Sequence, residues 1–175
     1  MKKVLLATLC ASVFTLTACD KKPADANSSA TESKPVATTA TLSSDNAADI
    51  KSDLTQVQTL FSTKNNEAAA FQTEVRQATQ KGDKAALQGV VGKMKTYVNG
   101  FNKELDGLAL KSSEVVSVRE KIKEANNLGV EMSEASIANS PDPEKLKQLQ
   151  NKGIEMQKSL MAEMQALQTK VNTTP

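Results

Sequence analysis

Cys10 and Cys19 are the two thiols of this 175-residue chain, and it contains no histidine. Without an imidazole, neither a Ser-His-Asp nor a Cys-His nucleophilic set can be assembled, and the usual zinc ligand sets lose a member. Two carboxylate pairs, Glu120 with Glu124 and Glu131 with Glu134, each share a helix face and could share a cation or a proton. Lys and Arg are interleaved with them, which is the pattern of a solvated helix surface. Met94, Met132, Met156, Met161 and Met164 offer thioethers, which are soft ligands suited to cuprous copper. Met156 and Met164 fall on an apolar stripe, where methionine fills core gaps. No GxxxxGKS-type or GxGxxG-type loop is present to cradle phosphate. Gly89-Val90-Val91-Gly92 lies within a helical pattern, away from any strand-to-helix turn. The expectation is a protein without catalytic residues, metal or cofactor.

The chemistry that remains belongs to Cys19. Lys2 and Lys3 make a basic start, and Val4 to Leu16 is an apolar run broken only by Thr8, Ser12 and Thr15. That run is short of the roughly 20 residues that span a bilayer. With small residues after it, it reads as a secretory signal. Its end, Leu16-Thr17-Ala18-Cys19, resembles the lipobox of bacterial lipoproteins. The resemblance implies cleavage between Ala18 and Cys19, with acyl chains (palmitate among them) on the Cys19 thiol and the new amino terminus. Cys10 would leave with the signal and Cys19 would be consumed by lipid, so no thiol would remain for a disulfide. One acyl chain holds a protein to a membrane only marginally, whereas several hold it lastingly. Asp20 resembles the inner-membrane retention signal of enterobacterial lipoproteins, but Lys21 is not its usual partner. The inner and outer membranes both stay open.

Removing residues 1–18 takes two lysines and no acid from the 22 basic and 20 acidic residues. The mature chain is then balanced at 20 against 20, so the +2 of the whole sequence reflects the signal. A nucleic-acid partner, which would need a clustered basic excess, is not expected. With aromatics at 3% and no Trp, stacking platforms for bases are not expected either.

Residues 19–44 are rich in Ser, Thr, Ala and Pro, with little to bury. They are expected to form a disordered tether with a random-coil reach of roughly 25–30 Å. Residues 45–175 are dominated by helix formers. Ser44 or Asp45 is positioned to cap a first helix. Its stripe is Ala47, Ile50, Leu54, Val57, Phe61, Ala68, Phe71, Val75 and Ala78, broken at Lys64 and spaced alternately by three and four. Lys81-Gly82-Asp83 ends that helix and caps the next. The second helix, 84–108, carries Leu87, Val90, Met94, Tyr97, Phe101, Leu105 and Leu108 inward, with Gly89, Gly92, Gly100 and Gly107 along it. Those glycines mark either close packing or a soft helix.

A third helix over 113–138 has a weaker stripe of Val115, Val118, Ile122, Ala125, Met132 and Ala135, loosened by Asn126 and Asn127. Asp142-Pro143 restarts the chain into a fourth helix that reaches about Val171. Its inward residues are Leu146, Leu149, Met156, Leu160, Met164, Leu167 and Val171. Short connections make consecutive helices antiparallel neighbours. The fold class is all-α: an antiparallel four-helix bundle, or paired long hairpins that complete their cores by self-association.

The functional expectation is a lipid-anchored protein of the bacterial cell envelope, with a structural or interaction role toward an envelope partner. The competing expectation is a holdase-type all-α periplasmic chaperone. Leu54-Thr55-Gln56-Val57-Gln58 resembles one copy of the LTxxQ motif that such chaperones carry twice.

Overall fold

The computed structural model describes residues 41–173, and the compact unit begins at Leu42. The signal segment, Ala18, Cys19 and the tether up to residue 40 lie outside the described residues.

Four helices follow in order: α1 (Ala47–Lys81), α2 (Lys84–Asp106), α3 (Ser113–Ile137) and α4 (Pro143–Thr173). At 1.5 Å per residue, the 35 residues of α1 extend about 50 Å. Each start has a side-chain cap for orphan backbone N–H groups. Asn46 accepts from the N–H groups of Ala48 and Asp49, Asp83 from that of Ala86, Ser112 from that of Val115, and Asp142 from those of Glu144 and Lys145. The first cap is Asn46, not the expected Ser44 or Asp45. Asp45 has φ 62°, whereas a cap needs the extended backbone that Asn46 supplies. Gly82, with φ 64°, takes the left-handed turn that ends α1, where a Cβ would be strained.

The helices close into a ring, α1 beside α2, α2 beside α3, α3 beside α4 and α4 back against α1, with α1 also touching α3 across the diagonal. This is the bundle alternative. The shared core gathers Ile50, Leu54 and Val57 of α1 with Phe101 and Leu105 of α2. Val115, Val118 and Ile122 of α3 and Met164 and Leu167 of α4 complete it. These residues come from the first half of α1 and α3 and the second half of α2 and α4. The common core therefore sits at the end that holds the start of α1, the α2–α3 connection and the end of α4. Toward the other end, burial is more local: Ala78 and Val90 are buried on α1 and α2, and Leu128 and Leu149 on α3 and α4.

Three details depart from the sequence pattern. α2 stops at Asp106, because the Gly107 N–H bonds both Lys103 and Glu104 carbonyls, and Leu108 and Leu110 turn in to cover the core. α3 buries Val115, Val118 and Ile122 of its predicted stripe, whereas Ala125, Met132 and Ala135 are only half-buried and Leu128 and Val130 are buried in their place. There Asn126 and Asn127 sit astride buried Asn102 of α2. Asn102 donates to Asn127 at 3.0 Å and accepts from Asn126 at 2.9 Å, so the polar group is satisfied and fixes the α2–α3 register. Phe61, expected inward, is 40% exposed.

Candidate functional site

Two features of the helical unit stand apart from ordinary packing: a polar junction where the chain enters it, and an aromatic ladder that the core does not finish burying.

The junction is built around Asp53, which lies on the buried arc of α1 beside Ile50 and Val57 and is fully buried. Its Oδ2 accepts from the Lys111 N–H at 2.8 Å, the Ser112 N–H at 2.7 Å and the Ser112 hydroxyl at 2.9 Å. Its Oδ1 accepts from Gln56 Nε2 at 3.4 Å. The donors are backbone groups at the amino end of α3, where the helix dipole also favours negative charge. A carboxylate that meets no cation among the described residues is thus compensated by fixed N–H groups. The same connection receives the incoming chain. The Ser43 N–H donates to the Lys111 carbonyl at 2.8 Å, and the Ser43 carbonyl accepts from the Ser113 N–H at 2.9 Å, forming a single parallel bridge between Ser43 and Ser112. The Asp45 N–H donates to the Glu114 carboxylate at 2.6 Å. Lys170 of α4 pairs with the Asp45 carboxylate and lies 3.9 Å from that of Glu114.

The ladder runs between α1 and α2. Phe61 meets Phe101 edge-on at 5.1 Å between ring centres, Phe101 stacks with Tyr97 at 6.2 Å, and Tyr97 meets Phe71 at 5.1 Å. Such pairs contribute beyond their area burial. Phe101 is buried, Phe71 and Tyr97 are half-buried, and Phe61 opens to solvent. Lys64, the break in the α1 stripe, closes the ladder's edge. Its Nζ lies 2.8 Å from Glu104 of α2, and its carbonyl accepts from the Tyr97 hydroxyl. The hydrogen bond to Glu104 is the first cause of a lysine pKa above its ordinary range.

The residues that suggested chemistry are placed apart or paired off. Glu120 binds Arg119 and Lys123, whereas Glu124 pairs with Lys152 of α4. Glu131 pairs with Lys145 and Glu134 with Lys95. Among the described residues, each of these four carboxylates pairs with cations of its own. The hydrogen bond from Lys123 chiefly holds Glu120 below the usual carboxylate range, and Asp106 and then Glu120 raise Lys123. Met164 is in the core, Met161 is 52% exposed, and Met156 lines a shallow α3–α4 surface groove with Lys121 and Lys152. Among the described residues, no three His, Cys, Asp or Glu side chains converge as a metal site. No described helix is long and apolar enough to cross a membrane. In the LTxxQ-like stretch, Leu54 and Val57 serve the core and Gln56 reaches Asp53.

The sequence reading missed Asp53. Its signal was an acidic residue three after Ile50 and four before Val57, inside the apolar arc.

The fold of the described residues is an all-α four-helix bundle, with residues 43–45 pinned against the α2–α3 connection and the start of α3. More particularly, a family model matches residues 51–172, and the chain belongs to that family, described as uncharacterised lipoprotein PM1805. The match lies within the four-helix unit, so it is independent of the residues around Cys19. It makes the protein a lipoprotein, with the lipid-anchored, cell-envelope location that this carries. No curated protein and no solved structure matches the chain.

Proposed function

We propose that this lipoprotein is a non-catalytic interaction module, held to the envelope membrane through acylated Cys19 and presenting the α1 stripe from Phe61 to Phe71 to another envelope protein. The observation that carries this reading is the unfinished burial along α1. Leu54 and Val57 are enclosed, yet Phe61, next on the same stripe, is 40% exposed, and Phe71 beyond it is only half-buried. An apolar stripe that continues past the buried core and opens at Phe61 is suited to receive a partner helix. Family membership supports the anchor.

The test is photo-crosslinking in intact cells, with a photoreactive residue at Phe61 and a control at Lys51. A discrete adduct from position 61 alone supports the reading. Equal labelling from both positions, or none from 61, overturns it.

The holdase reading is kept for one observation. Gly89, Gly92 and Gly100 face open space, where a Cβ would meet nothing within 4 Å. Close packing does not account for them, and they soften α2. Suppression of a model client's aggregation by the full chain, lost in Gly89→Ala/Gly92→Ala, would favour the holdase over the interaction module.

A further inference from the structure

We propose that residues 42–46 form a closed strap that takes the pull of the anchored segment before α1 does. This rests on the lipoprotein reading. A helix start is the part of a bundle that frays most readily, since its first N–H groups have no intrahelical partner. In an anchored protein, thermal motion of the upstream chain acts on that same point. Here the chain does not run straight into α1. It first pairs with the α2–α3 connection through the Ser43 N–H, carbonyl and hydroxyl. It then turns through the left-handed Asp45, φ 62°, a conformation that side-chain pairing must hold. Asp45 is held by its N–H on Glu114 and by its carboxylate on Lys170. Only then does Asn46 cap α1. The receiving loop is fixed from beneath by Asp53. Pull on the incoming chain is therefore divided among the connection, the first turn of α3 and the last turn of α4. Lys170 and Glu114 join the last two of these across the bundle end.

The experiment is amide hydrogen exchange on the acylated full chain in phospholipid vesicles, with the acyl-free Cys19→Ser chain in parallel. The reporters are the Ser43 N–H, the Ile50 N–H that bonds the Asn46 carbonyl, and Phe101 in the core. The Ser43 amide of the wild type is expected to be protected. Ser43→Pro removes the N–H donor and is expected to speed exchange at Ile50 at least tenfold with Phe101 unchanged, and to do so more strongly in the acylated chain. Lys170→Ala, which spares the backbone, is expected to give a smaller change of the same sign. Exchange of the wild-type Ser43 amide at the rate of a free peptide overturns the strap. An Ile50 amide indifferent to both variants, or equally affected with and without acylation, overturns its role in taking the pull of the anchor. If Cys19 proves not to be acylated, the anchor reading fails separately, because protection of Ser43 is read in either chain.

Discussion

Asp53→Ala removes the one acceptor shared by three donors: the Lys111 N–H, the Ser112 N–H and the Ser112 hydroxyl. Hydrogen bonds to a charged acceptor contribute about 1.5–3 kcal/mol each, but the three losses are unequal. Ser112 is fully buried, so its N–H is left dry, whereas the Lys111 N–H is only part-buried and regains water. The Ser112 hydroxyl can rotate, and its oxygen still caps Val115. The expected cost is about 3–5 kcal/mol, in the range for breaking a buried charged network. Asp53→Asn should cost less, about 1–2 kcal/mol, because charge-assisted bonds are roughly twice as strong as neutral ones. The Asn carbonyl can take the Oδ2 place, and its NH2 then faces Gln56. Gln56 can turn its own carbonyl to meet it, giving up only a 3.5 Å contact with the Ala109 carbonyl. The assay is urea unfolding of the full chain. With a slope typical of small domains, the alanine variant should lose roughly 2 M in midpoint. An alanine variant within 1 kcal/mol of wild type, or one no worse than Asp53→Asn, would refute the view that Asp53 organises the junction.

The glycines separate by backbone conformation. Gly92→Ala should raise stability by about 0.5–1 kcal/mol, since the added Cβ meets nothing in a helix interior. Gly82→Ala, at φ 64°, should lower it by about 1 kcal/mol, and thermal unfolding reads both. Phe61→Ala should cost about 1–2 kcal/mol, less than the 3–5 of a fully buried Phe, because the ring is 40% exposed. A larger loss in urea unfolding would mean that Phe61 is a core residue. Glu120 has a folded pKa below its ordinary value, so its contribution is present above the unfolded pKa and is lost as pH falls through the folded one. NMR titration should place its midpoint below the ordinary glutamate range, because Lys123 donates to its carboxylate, and Lys123→Met should raise it. The effect on stability should be small, since the Glu120 side chain is half exposed and the pair is screened.

What was legible in the sequence followed locality. Gly82-Asp83 and Asp142-Pro143 carry their turn and cap chemistry within a few residues, and the structure ends and starts helices there. On α4, spacing alone placed Leu149, Met164 and Leu167 on the buried face, while Leu146, Met156, Leu160 and Val171 are half-buried and buried Gly153 was not foreseen. Junctions between distant segments were not legible. Ser43 pairs with a loop 68 residues on, and Asp53 with one 58 and 59 residues on; no local pattern announces either. Phe61 shows the limit of a stripe, which names the face that seeks partners but not how far those partners extend. Asn102 reads as an ordinary polar residue until Asn126 and Asn127 are brought opposite it.

A helical module carried on a lipidated cysteine is tested most directly by the intact mass of the protein purified from its native membrane. The expected species is a chain that begins at Cys19 and carries the added mass of its acyl chains. A chain that retains residues 1–18, or one that begins near residue 19 with a free thiol and leaves the membrane in salt, would contradict it.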